Sequence, residues 1–114
     1  MKSKIVALSK NEDFKKLLKK KKISNNYITL FFGVLENKDN SKFNISFVTK
    51  KKQIKSAVKR NKVKRRLRNI MNDLVKKLQI NFDLSYLVIA KTTMLNNEYQ
   101  VIKVTLFQDF KKIK

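Results

Sequence analysis

Apolar residues recur along this chain at two different periods, and the switches between them mark its elements. After Ser9-Lys10-Asn11-Glu12, which has the Ser-x-x-Glu spacing of a capping box, Phe14, Leu17 and Leu18 fall at i, i+3 and i+4. That spacing predicts a helix ending within Lys19–Lys22, followed by a short extended piece near Lys22–Asn25. Tyr27–Leu35, rich in aromatic and β-branched residues, reads as a strand. Phe43–Thr49 alternates, with Phe43, Ile45, Phe47 and Thr49 on one side and Asn44, Ser46 and Val48 on the other, and is expected to pair antiparallel with it. Val63, Leu67, Ile70, Leu74 and Leu78 step by 4, 3, 4 and 4, the stripe of a helix running from near Ser56 to about Leu78. Leu84–Ala90 reads as a buried strand, and a crossover helix of roughly 20 residues makes it the parallel neighbour of Phe43–Thr49. A last helix over Asn97–Lys112 takes Asn96 or Asn97 as its cap and turns Tyr99, Ile102, Leu106 and Phe110 inward. The order α-β-β-β-α-β-α predicts an α+β fold, a two-layer sandwich of a roughly four-stranded sheet with three helices. Its length allows one domain, residues 1–114.

Glycine occurs once, at Gly33, and proline never, so asparagine must punctuate the turns: Asn25-Asn26, Asn37–Asn40 and Asn96-Asn97-Glu98 are the natural breaks. A formal charge of +21 on 114 residues repels itself and calls for a polyanion, either a nucleic acid or an anionic membrane. Membrane anchoring is the weaker reading. The apolar runs, such as Tyr86–Ala90, fall far below the ~20 residues a span needs, and Ile5–Leu8 is too short for the core of a signal peptide. With no cysteine there is neither a disulfide nor a thiolate metal site, which agrees with a cytoplasmic protein.

Charge changes the reading of the long helix most. Eight of the fifteen residues from Ile54 to Arg68 are Lys or Arg, and all four arginines (Arg60, Arg65, Arg66, Arg68) lie there. A chain that otherwise uses lysine has reason to place arginine where a planar guanidinium can fork onto phosphate. Asn61, Lys64, Arg65 and Arg68 form a second stripe well around the cylinder from the apolar one, flanked by Lys59, Arg60, Lys62 and Arg66. The helix therefore docks by one face and offers the other to a nucleic acid. A helix-turn-helix is not expected, because strand and loop precede Ser56; the backbone of an RNA duplex fits better. Histidine is absent and the eight carboxylates are scattered, so the clustered acids of a two-metal nuclease are missing and no autonomous catalysis is expected.

The motif Ile54-x-x-Ala57-x-x-Arg60-Asn61-Lys62-Val63-Lys64-Arg65-x-Leu67-Arg68 closely resembles the signature of the protein component of bacterial ribonuclease P, at every specified position. Leu8-x-x-Asn11-Glu12-Asp13-Phe14 is similar to that family's first helix, and length and element order agree across nearly the whole chain. The resemblance implies a four-stranded sheet with three helices and a left-handed βαβ crossover. It implies the protein subunit of a ribonucleoprotein that removes the 5′ leader from precursor tRNA, with the RNA as catalyst and Mg²⁺ held mainly by that RNA rather than by the protein. The implied partners are the catalytic RNA and precursor tRNA, with no membrane and no protein partner. The family's basic motif maps onto Arg60, Asn61, Lys62, Lys64, Arg65 and Arg68, as contacts to the catalytic RNA. Its leader cleft, between first helix and sheet, maps onto Phe14, Leu18, Phe31, Phe47 or Val48, and Lys51 or Lys52. The family often has an aromatic residue where Leu18 stands and a glycine where Ser46 stands, so the strand register at Ser46 stays open by one residue. A ribosomal or other structural RNA-binding protein, and a nucleoid-type DNA binder, are the competing readings.

Overall fold

Tyr86–Ala90 is apolar on both sides of the pleat, and the strand that contains it, β5 (Ser85–Ala90), lies at the centre of the sheet. The computed structural model describes residues 5–8, 11–36 and 38–113. From edge to edge the strands run β1 (Ile5–Val6), β4 (Phe43–Val48), β5, β3 (Ile28–Gly33) and β2 (Lys21–Ser24). β4 and β5 are parallel, as expected from the helical crossover between them, with Ile45 opposite Tyr86 and Val48 opposite Ile89.

The expected antiparallel pairing of Tyr27–Leu35 with Phe43–Thr49 does not form. β5 lies between β3 and β4 and pairs with both. Its two apolar faces require an interior place, and the connection over residues 34–42 easily crosses two strand spacings of about 4.8 Å each. The fifth strand is β1, which pairs parallel with the start of β4. Two residues carry no periodic signal, which is why four strands were expected.

Helix α2 (Ala57–Lys77) and helix α3 (Tyr99–Lys111) cover one face of the sheet. Ser56 caps α2, its Oγ accepting the Lys59 N–H at 3.3 Å, and Val63, Leu67, Ile70 and Leu74 are buried. They meet Phe43, Ile45, Tyr86 and Val88 of the sheet, with Ile102, Leu106 and Phe110 of α3 closing the core. Phe43 and Tyr86 pack edge to face at 5.3 Å. The capping of α3 differs from expectation. Glu98 takes the N-cap position without a side-chain bond, while the Asn97 amide donates to the Thr93 carbonyl at 2.7 Å and closes the 3-10 turn Thr92–Leu95.

Helix α1 (Asn11–Leu17) packs on the opposite face, adding a partial third layer to the expected two. Leu17 sits against Leu87, Leu8 and Leu35. The expected cap, Ser9, lies outside the described residues. Asp13, in the first turn, is buried and paired with Lys38 at 2.6 Å, which ties α1 to the loop before β4.

Candidate nucleic-acid interface

α2 has no carboxylate in its first turn, where the helix dipole favours negative charge, and carries Lys59 and Arg60 there instead. Like-charge neighbours at three and four residues, such as Lys62 with Arg65 and Lys64 with Arg68, each cost about 0.2–0.5 kcal/mol. The helix holds because its apolar stripe is docked, so its outer face is free to be electrostatically unfavourable. Asn61, Lys62, Lys64, Arg65 and Arg68 are all exposed on it. Among the described residues the ion pairs are Lys38–Asp13, Lys103–Asp73 and Lys112–Asp109, none of which neutralises this face.

The four arginines divide into two pairs. Arg65 and Arg68 are exposed. Arg60 is half-buried, its Nη1 donating to the carbonyls of Ile54 and Lys55, both at 2.9 Å, so it clamps the turn that starts α2. Arg66 donates to the carbonyls of Met94 and Asn97 and fastens α2 to the 3-10 turn. Arginine clustering therefore reflects carbonyl bonding inside the fold as well as a free cationic face.

The sheet register settles which β4 residues belong to the α1 side. Ser46 lies opposite Leu87 and Leu87 opposite Phe31, which in turn lies opposite Lys22; the next row is Val48, Ile89, Thr29 and Ser24. Phe14, Phe31 and Val48 gather there around Leu8, Leu17, Leu35 and Leu87. Phe47 does not join them, because alternation along β4 turns it to the α2 face. Leu18 is 47% exposed, since Leu17 takes the buried position and the next residue lies about 100° further round the helix. Lys51 and Lys52 are exposed at the tip of a turn in which the Lys50 carbonyl accepts from Gln53 and Ile54. Ile89, Thr29 and Lys22 were not picked out from the sequence. Cross-strand pairing with Val48 and Phe31 is the signal for them, and that requires the register.

A cavity of about 540 Å³ beside β4 connects the two regions. It brings Lys64 and Arg68 of the basic face together with Phe14, Phe47 and Ser46. It exists because β1 pairs with only the first two residues of β4. Beyond them Ser46 Oγ takes over, accepting the Leu8 N–H at 2.7 Å and donating to the Leu8 carbonyl at 3.3 Å. Where glycine could offer nothing, this hydroxyl holds the N-terminal segment to the sheet.

The arrangement supplies cations, apolar surface and few acids. Among the described residues no three of His, Cys, Asp and Glu come together. Among the described residues no helix is long and apolar enough to cross a membrane. A sequence model of the family described as Ribonuclease P matches residues 3–114.

The chain belongs to the ribonuclease P protein family.

Curated relatives agree over nearly full length. The ribonuclease P protein component of Listeria innocua is 31% identical, with 91% of this chain and 84% of that protein covered. That of Carboxydothermus hydrogenoformans is 29% identical, covering 94% and 90%. The fold matches the RNase P protein of Staphylococcus aureus with a TM-score of 0.74 at 26% identity, covering 94% of this chain and 93% of that one. The Thermotoga maritima protein, at 21% identity, shares the fold with a TM-score of 0.78 over 96% and 98% of the two chains. Family membership makes this chain a protein component of a tRNA-processing endoribonuclease, and the α+β class expected from the sequence is that of the solved family structures.

Proposed function

We propose that this protein serves ribonuclease P as a two-surface RNA clamp and leaves bond cleavage to the RNA. The observation that carries this reading is the division of α2: one stripe buried in the core, the other a row of exposed Asn61, Lys62, Lys64, Arg65 and Arg68 without a neutralising carboxylate. Arg65 and Arg68 present guanidinium forks to phosphates of the catalytic RNA, with Lys62 and Lys64 beside them as point charges. Arg60 supports that face by fixing the start of the helix.

The 5′ leader of precursor tRNA runs across the α1 side of the sheet. Phe14, Phe31, Val48 and Ile89 offer its bases a partly exposed apolar surface, and Lys22, Lys51 and Lys52 are the cations for its phosphates. Base–aromatic stacking contributes ~1–3 kcal/mol per base and tolerates any sequence, which suits a leader of variable composition. Mg²⁺ supplies the chemistry when bound by the RNA. Of the protein's eight acids, Asp13, Asp73 and Asp109 are each engaged by a lysine, and among the described residues no three acids come together to hold it.

Reconstitution tests the reading. The pure chain alone should leave precursor tRNA intact, and should restore cleavage by the cognate RNA at low Mg²⁺. Folded protein that fails to restore cleavage, or that cuts the precursor without RNA, contradicts it.

A further inference from the structure

Where α1 leads into the edge strand β2 there is a cationic recess whose lining residues neither proposed RNA contact uses. Lys19, Lys20 and Lys21 border a recess of about 560 Å³ whose remaining walls are Phe32, Gly33, Val34 and Leu84. β2 and β1 are the opposite edges of the five-stranded sheet, four spacings apart, or roughly 19 Å. The recess shares no lining residue with the cavity beside β4.

Edge lysines commonly guard a sheet against strand addition, a purpose that Lys21 and Lys22 on β2 can serve alongside an RNA contact. Two features lie outside it. The first is Gly33, the only glycine in the chain. A Cβ built there would lie 2.7 Å from Cγ, 2.8 Å from Cδ and 2.9 Å from Cβ of Lys20. Glycine thus lets the Lys20 stem lie across the end of β3, where Lys20 lines the recess. The second is Val34, 61% exposed between Gly33 and the buried Leu35 and sharing the recess with Phe32 and Leu84. An apolar floor beneath a rim of lysines that make none of the ion pairs among the described residues matches an unstacked nucleobase with a phosphate on either side.

We propose that this recess is a third RNA site, binding an unpaired ribonucleotide segment by seating a base on Phe32, Val34 and Leu84 and its phosphates on Lys19, Lys20 and Lys21. It rests on the reading that the protein works on RNA. Unpaired nucleotides of the catalytic RNA and of the precursor share the chemistry it recognises.

The test is photocrosslinking with 4-thiouridine, first in a 12-mer of uridylate and then in the reconstituted complex with either the catalytic RNA or the precursor labelled. Crosslinks placed by mass spectrometry on residues 19–21 or 32–34, and not on Lys22 or Phe31 of the leader face, are expected, and the labelled strand that gives them names the source. Lys20→Glu with Lys21→Glu should abolish them and flatten the dependence of log K on log salt for the 12-mer by about 1.4, at about 0.7 per lost contact. The charge-matched Lys76→Glu with Lys77→Glu should keep the crosslinks. Val34→Ser, an exposed change without charge, should lower crosslink yield at least threefold while leaving the melting temperature unchanged. Absence of crosslinks at residues 19–21 and 32–34 while the wild type restores cleavage overturns the proposal and spares the reading beneath it; no restoration by wild type strikes at that reading. Capture of phosphatidylglycerol vesicles or an acidic protein in place of the 12-mer also overturns it.

Discussion

Arg66 donates from Nη1 to the backbone carbonyl of Met94 at 3.1 Å, so a cation from the most basic stretch of the chain is spent on fastening α2 to the turn before α3. Its neighbour Arg65 is exposed and takes part in none of the ion pairs among the described residues. Adjacent arginines in one motif therefore have opposite duties. Arg66→Ala leaves the partly buried carbonyls of Met94 and Asn97 without that donor and should lower stability by about 1–2 kcal/mol. Arg65→Ala should stay within about 0.5 kcal/mol of wild type. Urea unfolding of both variants checks this, and equal losses would mean that the arginines share one function.

Ser46 makes a prediction about the N-terminal segment. Its Oγ is the acceptor for the buried Leu8 N–H and lies where the β1–β4 ladder has already ended. Ser46→Ala strands that donor and should cost about 1–3 kcal/mol. The opening should be local, so hydrogen exchange at Ile5 to Leu8 ought to accelerate far more than exchange in β5. Uniform acceleration across the sheet would show that the hydroxyl supports the whole fold instead.

Much of this architecture was legible because α2 and β5 obey simple rules. Val63, Leu67, Ile70 and Leu74 keep helical period without interruption, and the Ser56 cap is in place. The turn at Asn25-Asn26 is real as well, Asn25 Oδ1 accepting from the N–H groups of Tyr27 and Ile28, while Asn37 of the second break lies outside the described residues. Pairing was less legible. That β5 separates β3 from β4 is a competition for the interior, decided by total burial rather than by any local spacing. The open question at Ser46 was likewise one of register, and the hydroxyl bond to Leu8 with the Ser46–Leu87 pairing answers it. On α2 the sequence separated the free face from the docked one, yet could not show that Arg60 and Arg66 bind carbonyls, because those carbonyls come from irregular segments.

Acid should loosen the contact between α2 and α3. Lys103 Nζ donates to Asp73 Oδ2 at 2.6 Å and lies 6.0 Å from the Tyr99 ring and 5.7 Å from the Phe107 ring. That hydrogen bond, first among the causes, holds the Asp73 carboxyl below its ordinary value. A depressed folded-state pKa stabilises above the unfolded value of 3.8, and the contribution vanishes as pH falls through the lower folded value. Lys103 is shifted up by the same bond, so its share is lost only as pH rises past the ordinary lysine range. Asp73→Asn should therefore lower the urea midpoint at pH 6 and match wild type near pH 2. A gap that persists in acid would rule out ionisation as its origin.

Separating the two proposed RNA surfaces gives the sharpest contrast. Arg65→Glu with Arg68→Glu reverses two exposed charges on α2 without touching the core, and affinity for the catalytic RNA should fall at least tenfold, steeply dependent on salt. Phe31→Ala instead removes a ring from the row Ser46, Leu87, Phe31 and Lys22 on the α1 side. Its effect should fall on the leader: the preference for precursor over mature tRNA should shrink by about 5-fold to 150-fold, as the loss of ~1–3 kcal/mol of stacking dictates, while assembly with the catalytic RNA is kept. Ile89→Ala, on the neighbouring row, should weaken the same preference less, since it removes apolar contact without a ring. Measured side by side, equal losses for precursor and mature tRNA in Phe31→Ala would remove the leader from this face, whatever the arginine variant does.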